Sequence, residues 1–224
     1  MKPLHVDLAV PITTLVLIGG GEFSFGETRE IDEMLLRSIP RDHPTVAFLP
    51  TASGSAEYAG HLGAYFKTID SSVETINVPV YRGRDNRRPR NLNQLLAAGL
   101  IYLGGGVTNN LLDTLRESAA EIAMRDAAEH GAVVAAIGAA AACFGTHARN
   151  MRGSATALPA LGWLEHTVIE TAFDPENDTM LRRLMSIEGT TLGIGIPPKC
   201  ALVIRGDGST EVAGNGSIAV FRKP

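Results

Sequence analysis

Cysteine, tryptophan and the aromatics as a group are scarce in this sequence: two cysteines, one tryptophan and 5% Phe, Trp and Tyr in 224 residues. Cys143 and Cys200 each lie inside an apolar stretch and make no disulfide framework; they read as buried free thiols of a reducing, cytoplasmic compartment. Excess positive charge is missing too, since 20 Lys and Arg stand against 24 Asp and Glu, a formal net charge of -4. Such a chain has no overall field to hold phosphate backbones or anionic lipids, so neither nucleic acid nor membrane is an expected partner. The local exception is Arg82, Arg84, Arg87, Arg88 and Arg90, flanked by Pro79 and Pro89, which reads as a solvated loop before it reads as an anion patch. Long hydrophobic runs are absent. The longest weakly polar stretch, Gly131 to Gly145, is about 15 residues against the roughly 20 that a spanning helix needs. Near the start, Lys2 and the apolar run Leu15–Ile18 end in Gly19-Gly20-Gly21-Glu22, which is not the pattern of a signal peptide. His5, His43, His61 and His130 lack metal-ligand spacing, so neither metal nor cofactor is expected. With no repeat, low-complexity tract or linker, residues 1–224 are expected to form a single domain.

What is present is 45% hydrophobic residues, enough for a sizeable core. Apolar runs at Thr14–Ile18, Thr45–Leu49, Val73–Val78, Leu100–Leu103 and Ala132–Ile137 predict strands. Helical patterns at Glu27–Ile39, Glu57–Ile69 and Asn109–Glu117 follow most of them. Runs apolar throughout, such as Ala-Val-Val-Ala-Ala-Ile at 132–137, suit parallel strands covered on both faces. The expected class is therefore α/β, a doubly wound three-layer sandwich around a mostly parallel sheet. After about residue 160 the pattern changes to Thr167–Thr171, a helix near Asp178–Ile187, then Thr191–Ile196, Cys200–Arg205 and Ser217–Arg222. Gly206-Asp207-Gly208 and Gly214-Asn215-Gly216 are turn signals, so antiparallel C-terminal strands are expected at one sheet edge.

Ligands of open parallel sheets bind beyond the carboxyl ends of the strands, where three glycine-rich turns fall. Gly19-Gly20-Gly21-Glu22-Phe23-Ser24 lacks the third glycine of a dinucleotide fingerprint and reads as a tight turn. Gly104-Gly105-Gly106-Val107-Thr108-Asn109 ends a strand and opens a helix whose free N–H groups suit an anion, or simply a turn with Thr108 or Asn109 as cap. Ala136-Ile137-Gly138-Ala139-Ala140 is again strand, turn, helix. That is the setting of a G-x-S-x-G nucleophile elbow, with alanine at both glycine positions and glycine at the serine.

In order and spacing these motifs resemble peptidase family S51, which includes cyanophycinase, dipeptidase E and α-aspartyl dipeptidase and whose fold is similar to the flavodoxin-like class I glutamine amidotransferases. The resemblance runs through Gly19-Gly20-Gly21-Glu22, Leu49-Pro50-Thr51-Ala52-Ser53, Tyr102–Leu112, Ala135–Ala142, Val168–Phe173 and Leu192–Val203. It implies a serine activated by histidine that attacks an amide, with backbone N–H groups stabilising the oxyanion. Carried over by position, the serine is Gly138 and the histidine is Ala172, because Glu170-Thr171-Ala172-Phe173 stands where the family has Asp-Gln-His-Phe. Neither catalytic side chain is intact. Pro197-Pro198-Lys199-Cys200-Ala201 likewise lacks the family's late acidic residue. The implied oxyanion donors are the N–H groups near Gly105 or Gly106 and of Ala139. The implied ligand-binding positions are Gly105, Gly106, Thr108, Asn109, Gly138, Ala139 and Glu170. A homodimer is a further implication of the resemblance.

His166 is a poor substitute base, because it lies at the wrong end of its strand. Cys143 and His147, four apart on an expected post-elbow helix, share a face, yet Cys143 reads first as a buried hydrophobe. The sequence therefore predicts a non-hydrolytic family member that binds a small molecule or peptide in the cleft at the strand ends or regulates a partner. The alternatives are an amide hydrolase using other groups and a purely structural subunit.

Overall fold

The computed structural model describes residues 4–153 and 156–223. The chain runs β1 (Thr14–Ile18), α1 (Arg29–Arg37), β2 (Thr45–Leu49), α2 (Glu57–Ile69), β3 (Glu74–Asn77), α3 (Pro89–Leu96), β4 (Leu100–Leu103), α4 (Thr108–Leu115), α5 (Ala119–Glu129) and β5 (Val133–Ile137). It continues through α6 (Ala139–Ala142), β6 (His147–Arg149), β7 (Ala157–Pro159), β8 (Thr167–Thr171), α7 (Thr179–Met185), β9 (Leu192–Ile196), β10 (Cys200–Arg205), β11 (Thr210–Gly214) and β12 (Ala219–Arg222).

A seven-stranded sheet in the order β11-β10-β1-β5-β4-β2-β3 forms the centre. Its five strands from β1 to β3 are parallel, and β10 and β11 close one edge antiparallel. Alternate residues of each central strand feed two cores. Val16, Ile18, Val46, Phe48, Leu100 and Tyr102 pack with Ile31 and Leu35 of α1 and Leu62 and Phe66 of α2. Leu15, Leu17, Ala47, Leu49, Ile101 and Leu103 pack on the other side with Leu95 of α3, Leu111 of α4, Met124 of α5 and Ala140 of α6. Burial on both faces explains why these strands are apolar throughout rather than alternating, and the expected three-layer sandwich is present.

The C-terminal third differs in part from expectation. Cys200–Arg205 does join the sheet edge, turning through Gly208 at φ 79° into β11, a strand the sequence pattern did not reveal. The other segments build a second, five-stranded sheet in the order β12-β9-β8-β6-β7, in which β8 runs parallel to both β9 and β6. The sequence pattern predicts antiparallel C-terminal strands, but the helix expected near Asp178–Ile187 is α7, which lies between β8 and β9 and provides the crossover that parallel neighbours require. Leu181, Leu184 and Met185 of α7 pack on Val168 and Phe173, and Gly193 and Gly195 give them room, since a Cβ there would lie 2.5 Å from Met185 Sδ or the Phe173 ring.

Candidate functional site

The carboxyl ends of β1, β5 and β8 converge. Gly138 follows β5 at φ 58° and ψ -127°, a conformation closed to most side-chain-bearing residues. Its N–H donates to Ile18 O at 2.9 Å, and its carbonyl accepts from Ala142 N at 3.2 Å, which starts α6. A Cβ built on Gly138 would meet nothing within 4 Å. The turn is thus a sharp strand-to-helix elbow whose apex faces open space.

Ala172 follows β8 at φ 50°, exposed, and its N–H donates to Gly19 O at 2.7 Å. Elbow and β8 end therefore hang on the consecutive carbonyls of Ile18 and Gly19. No side chain fits at Gly19, where a Cβ would sit 2.1 Å from Pro197 O. Gly105 abuts the same end of β5: its Cβ would lie 3.3 Å from Ile137 O. The N–H groups of Gly105, Gly106 and Ala139 donate to no backbone carbonyl among the described residues.

Thr108 and Asn109 serve the site indirectly. Both are buried. Thr108 Oγ1 donates to Arg149 O at 2.6 Å, Asn109 Nδ2 donates to Asn150 Oδ1 at 2.9 Å, and Met151 N donates to Asn109 Oδ1 at 3.0 Å. Their hydrogen-bonding groups are directed at the end of β6 rather than at the cleft. What they hold in place is Arg149. The parallel register His147↔Val168 sets Arg149 beside Glu170, and their charged groups stand 4.0 Å apart. Burial pushes the Glu170 carboxyl above its ordinary range, and the Arg149 guanidinium opposes that rise.

A cavity of about 390 Å³ opens next to Ala172, lined by Arg149, Glu170, Asp174, Asn177 and Met180 among others. Of the residues lining this cavity, Glu170 and Ala172 are singled out by the sequence motifs, whereas Arg149, Asp174 and Asn177 lie outside them. Arg149 sits on a three-residue strand too short for any periodic signal.

The other candidates separate from this site. The expected post-elbow helix ends at Ala142, and His147 lies on β6, so Cys143 and His147 do not share a helix face. Cys143 is fully buried, donates its Sγ–H to Ala139 O at 3.2 Å and has its thiol pushed well up by burial. His166 immediately precedes β8, with Nδ1 2.8 Å from Gly189 O, at the end opposite Ala172. Lys199, at φ 64°, pairs with Glu27 at 2.8 Å and fills the stretch where the resemblance expected an acid. The arginines of residues 82–90 are exposed around buried Asp85, which binds Arg88 at 3.0 Å and accepts from the N–H groups of Tyr81 and Arg82. No cluster of His, Cys, Asp or Glu able to hold a metal occurs among the described residues. Within the same residues no helix is long and apolar enough to cross a membrane.

A doubly wound α/β sheet with a sharp strand-to-helix elbow at a central strand end and glycine N–H groups beside it defines a scaffold of the flavodoxin-like α/β class, with the elbow in the place that nucleophile-elbow hydrolases use. The family model of peptidase family S51 matches residues 15–212, and the chain belongs to that family. It is similar to an uncharacterized peptidase, YgaJ, of Bacillus subtilis, with 32% identity over 154 residues, 67% of this chain and 65% of that protein. A crystal structure of a peptidase from an acI-B1 actinobacterium superposes with a TM-score of 0.80 at 24% identity, covering 96% of this chain and 93% of the other. A putative peptidase E protein from Listeria monocytogenes superposes at 0.60 with 14% identity, covering 95% and 100%. These two likenesses establish the fold.

Proposed function

We propose that this chain is a non-hydrolysing member of family S51 that binds a small molecule or peptide at the carboxyl ends of its strands. The observation that carries the reading is that Gly138 and Ala172 hang on the adjacent carbonyls of Ile18 and Gly19, so the elbow and the β8 end are anchored side by side, while neither of these two positions, which the resemblance gives to serine and histidine, bears a functional side chain. Loss of a triad serine alone costs about a millionfold in turnover, and backbone donors without a nucleophile bind rather than cleave. Arg149 and Glu170 offer opposite charges in one cavity, which suits a ligand carrying both an ammonium and a carboxylate, such as an amino acid or short peptide. The two buried free thiols support a cytoplasmic setting.

A second reading is favoured by Glu170 itself. A half-buried carboxyl with a raised pKa beside Ala172 has the character of an acid–base group, and would make the chain an amide hydrolase with unfamiliar machinery. Calorimetry and product analysis with α-aspartyl and β-aspartyl dipeptides separate the two. Binding that weakens roughly tenfold or more in Arg149→Ala and Glu170→Gln, with turnover at the buffer rate, is the expected result. Turnover well above buffer that disappears in Glu170→Gln would establish the second reading instead. Gly138→Ser combined with Ala172→His is expected to recover little activity, because Lys199, tied to Glu27, stands where a third, acidic partner would be.

A further inference from the structure

β3 is the outer strand of the central sheet, opposite the edge covered by β11. Glu74 N donates to Pro44 O at 3.3 Å and Val78 N to Phe48 O at 2.8 Å, so these residues turn their peptide groups inward to β2. The peptide groups of Thr75 and Asn77 therefore point away from the sheet, along an edge no strand covers among the described residues. Beside that edge runs a groove of about 650 Å³, with Glu74 and Ile76 of β3 on one side and Arg90, Gln94 and Ala97 on the other. Gln94 Oε1 is buried there without a hydrogen-bond partner.

Charge along the edge is polar in sequence order. Asp70 and Glu74 precede or open the strand, and the arginines at 82, 84, 87, 88 and 90 follow it. Only Arg84 and Arg88 of these find a partner within the described residues, Asp85, and Glu74 forms no ion pair. An antiparallel neighbour of the same sequence brings the acidic beginning of one strand against the basic end of the other, twice, about a two-fold axis.

The geometry points to a homodimer formed by antiparallel pairing of β3 with β3 of a second copy, centred on Ile76. In that register Thr75 exchanges peptide hydrogen bonds with the partner's Asn77 and Asn77 with the partner's Thr75. Ile76 then faces the partner's Ile76 as a non-hydrogen-bonded pair on the groove side, and Glu74 reaches toward the partner's arginines. Two seven-stranded sheets become one continuous sheet, and an open edge that would otherwise template aggregation is closed.

Sedimentation of the purified chain over a series of concentrations tests this. The wild type is expected to sediment as a dimer. Thr75→Pro removes only an outward N–H, leaves the ladder to β2 whole, and is expected to yield a monomer with the wild-type circular dichroism spectrum. Glu74→Arg and Arg90→Glu are each expected to weaken dimerisation roughly tenfold or more, and the double exchange to restore it. A wild type that stays monomeric at its solubility limit overturns the proposal. So does a dimer indifferent to Thr75→Pro, or charge variants that fail to compensate.

Discussion

Gly138 and Ala172 share a problem of backbone conformation and meet it differently. At φ 58° and ψ -127°, Gly138 bears no Cβ and avoids a strain of about 1–3 kcal/mol. Gly138→Ser is therefore expected to lower the unfolding free energy by about that amount, through backbone strain alone, because the space around a new Cβ is open. Ala172 holds φ 50° with a methyl group, in a region that costs an L-residue about 1–2 kcal/mol. Ala172→Gly should raise stability by about 0.5–1 kcal/mol, the relief of that strain less the added entropy of the unfolded chain. Denaturant titration with unchanged slope checks both, and a stabilising Gly138→Ser would contradict the elbow geometry. The position of Gly138 was legible in the sequence because an apolar strand ending in a glycine and a small-residue run is a local signal. Its open surroundings were not.

The elements that frame the site are held by close backbone approach. Gly106, at φ 152°, brings the β4–α4 turn against the β2 end so tightly that a Cβ would lie 2.4 Å from Ala52 O. The N–H of Val107 and the Nδ2 of Asn110 both donate to that carbonyl, at 3.0 Å each. Gly106→Ala must move this turn and is expected to cost about 2–4 kcal/mol in chemical denaturation, more than backbone strain alone. A loss below about 1 kcal/mol would show that the turn is loose. Here the sequence pattern drew attention to Thr108 and Asn109 without revealing their contacts. Thr108 and Asn109 looked like ligand contacts or caps, yet they tie α4 to β6, an element of three residues whose existence no periodicity could reveal.

Across the whole molecule, stability against pH should carry the mark of Asp32. This α1 residue is fully buried, accepts from Thr28 Oγ1 at 2.7 Å and from Tyr65 OH at 3.1 Å, and leaves its Oδ1 without a partner. Burial pushes its carboxyl from 3.8 up to about 6 against the pull of those two donors. Between those values the folded chain keeps a proton that the unfolded chain releases, so Asp32's contribution is complete below pH 3.8 and lost as pH rises through about 6. The change is on the order of 3 kcal/mol. Glu170, raised by burial as well, bends the curve in the same direction. Asp32→Asn isolates the larger effect: the variant should gain on the wild type as pH rises across that window in thermal melts, whereas a gap that narrows with rising pH would refute the assignment.

Alternation of apolar runs with amphipathic helices was sufficient to determine the doubly wound sheet, because strands buried on both faces have no polar side to display. The same local grammar placed the glycine turns, and the resemblance to family S51 assigned Gly138 and Ala172 to the positions of serine and histidine. Tertiary structure alone decided the second sheet, the pairing of Arg149 with Glu170 and the cavity beside Ala172. Those depend on the register between β6 and β8, segments separated by 17 residues of sequence between Arg149 and Thr167. Such register follows from the packing of both strands under α7 and from the side chains of α4, and no window of neighbouring residues contains it.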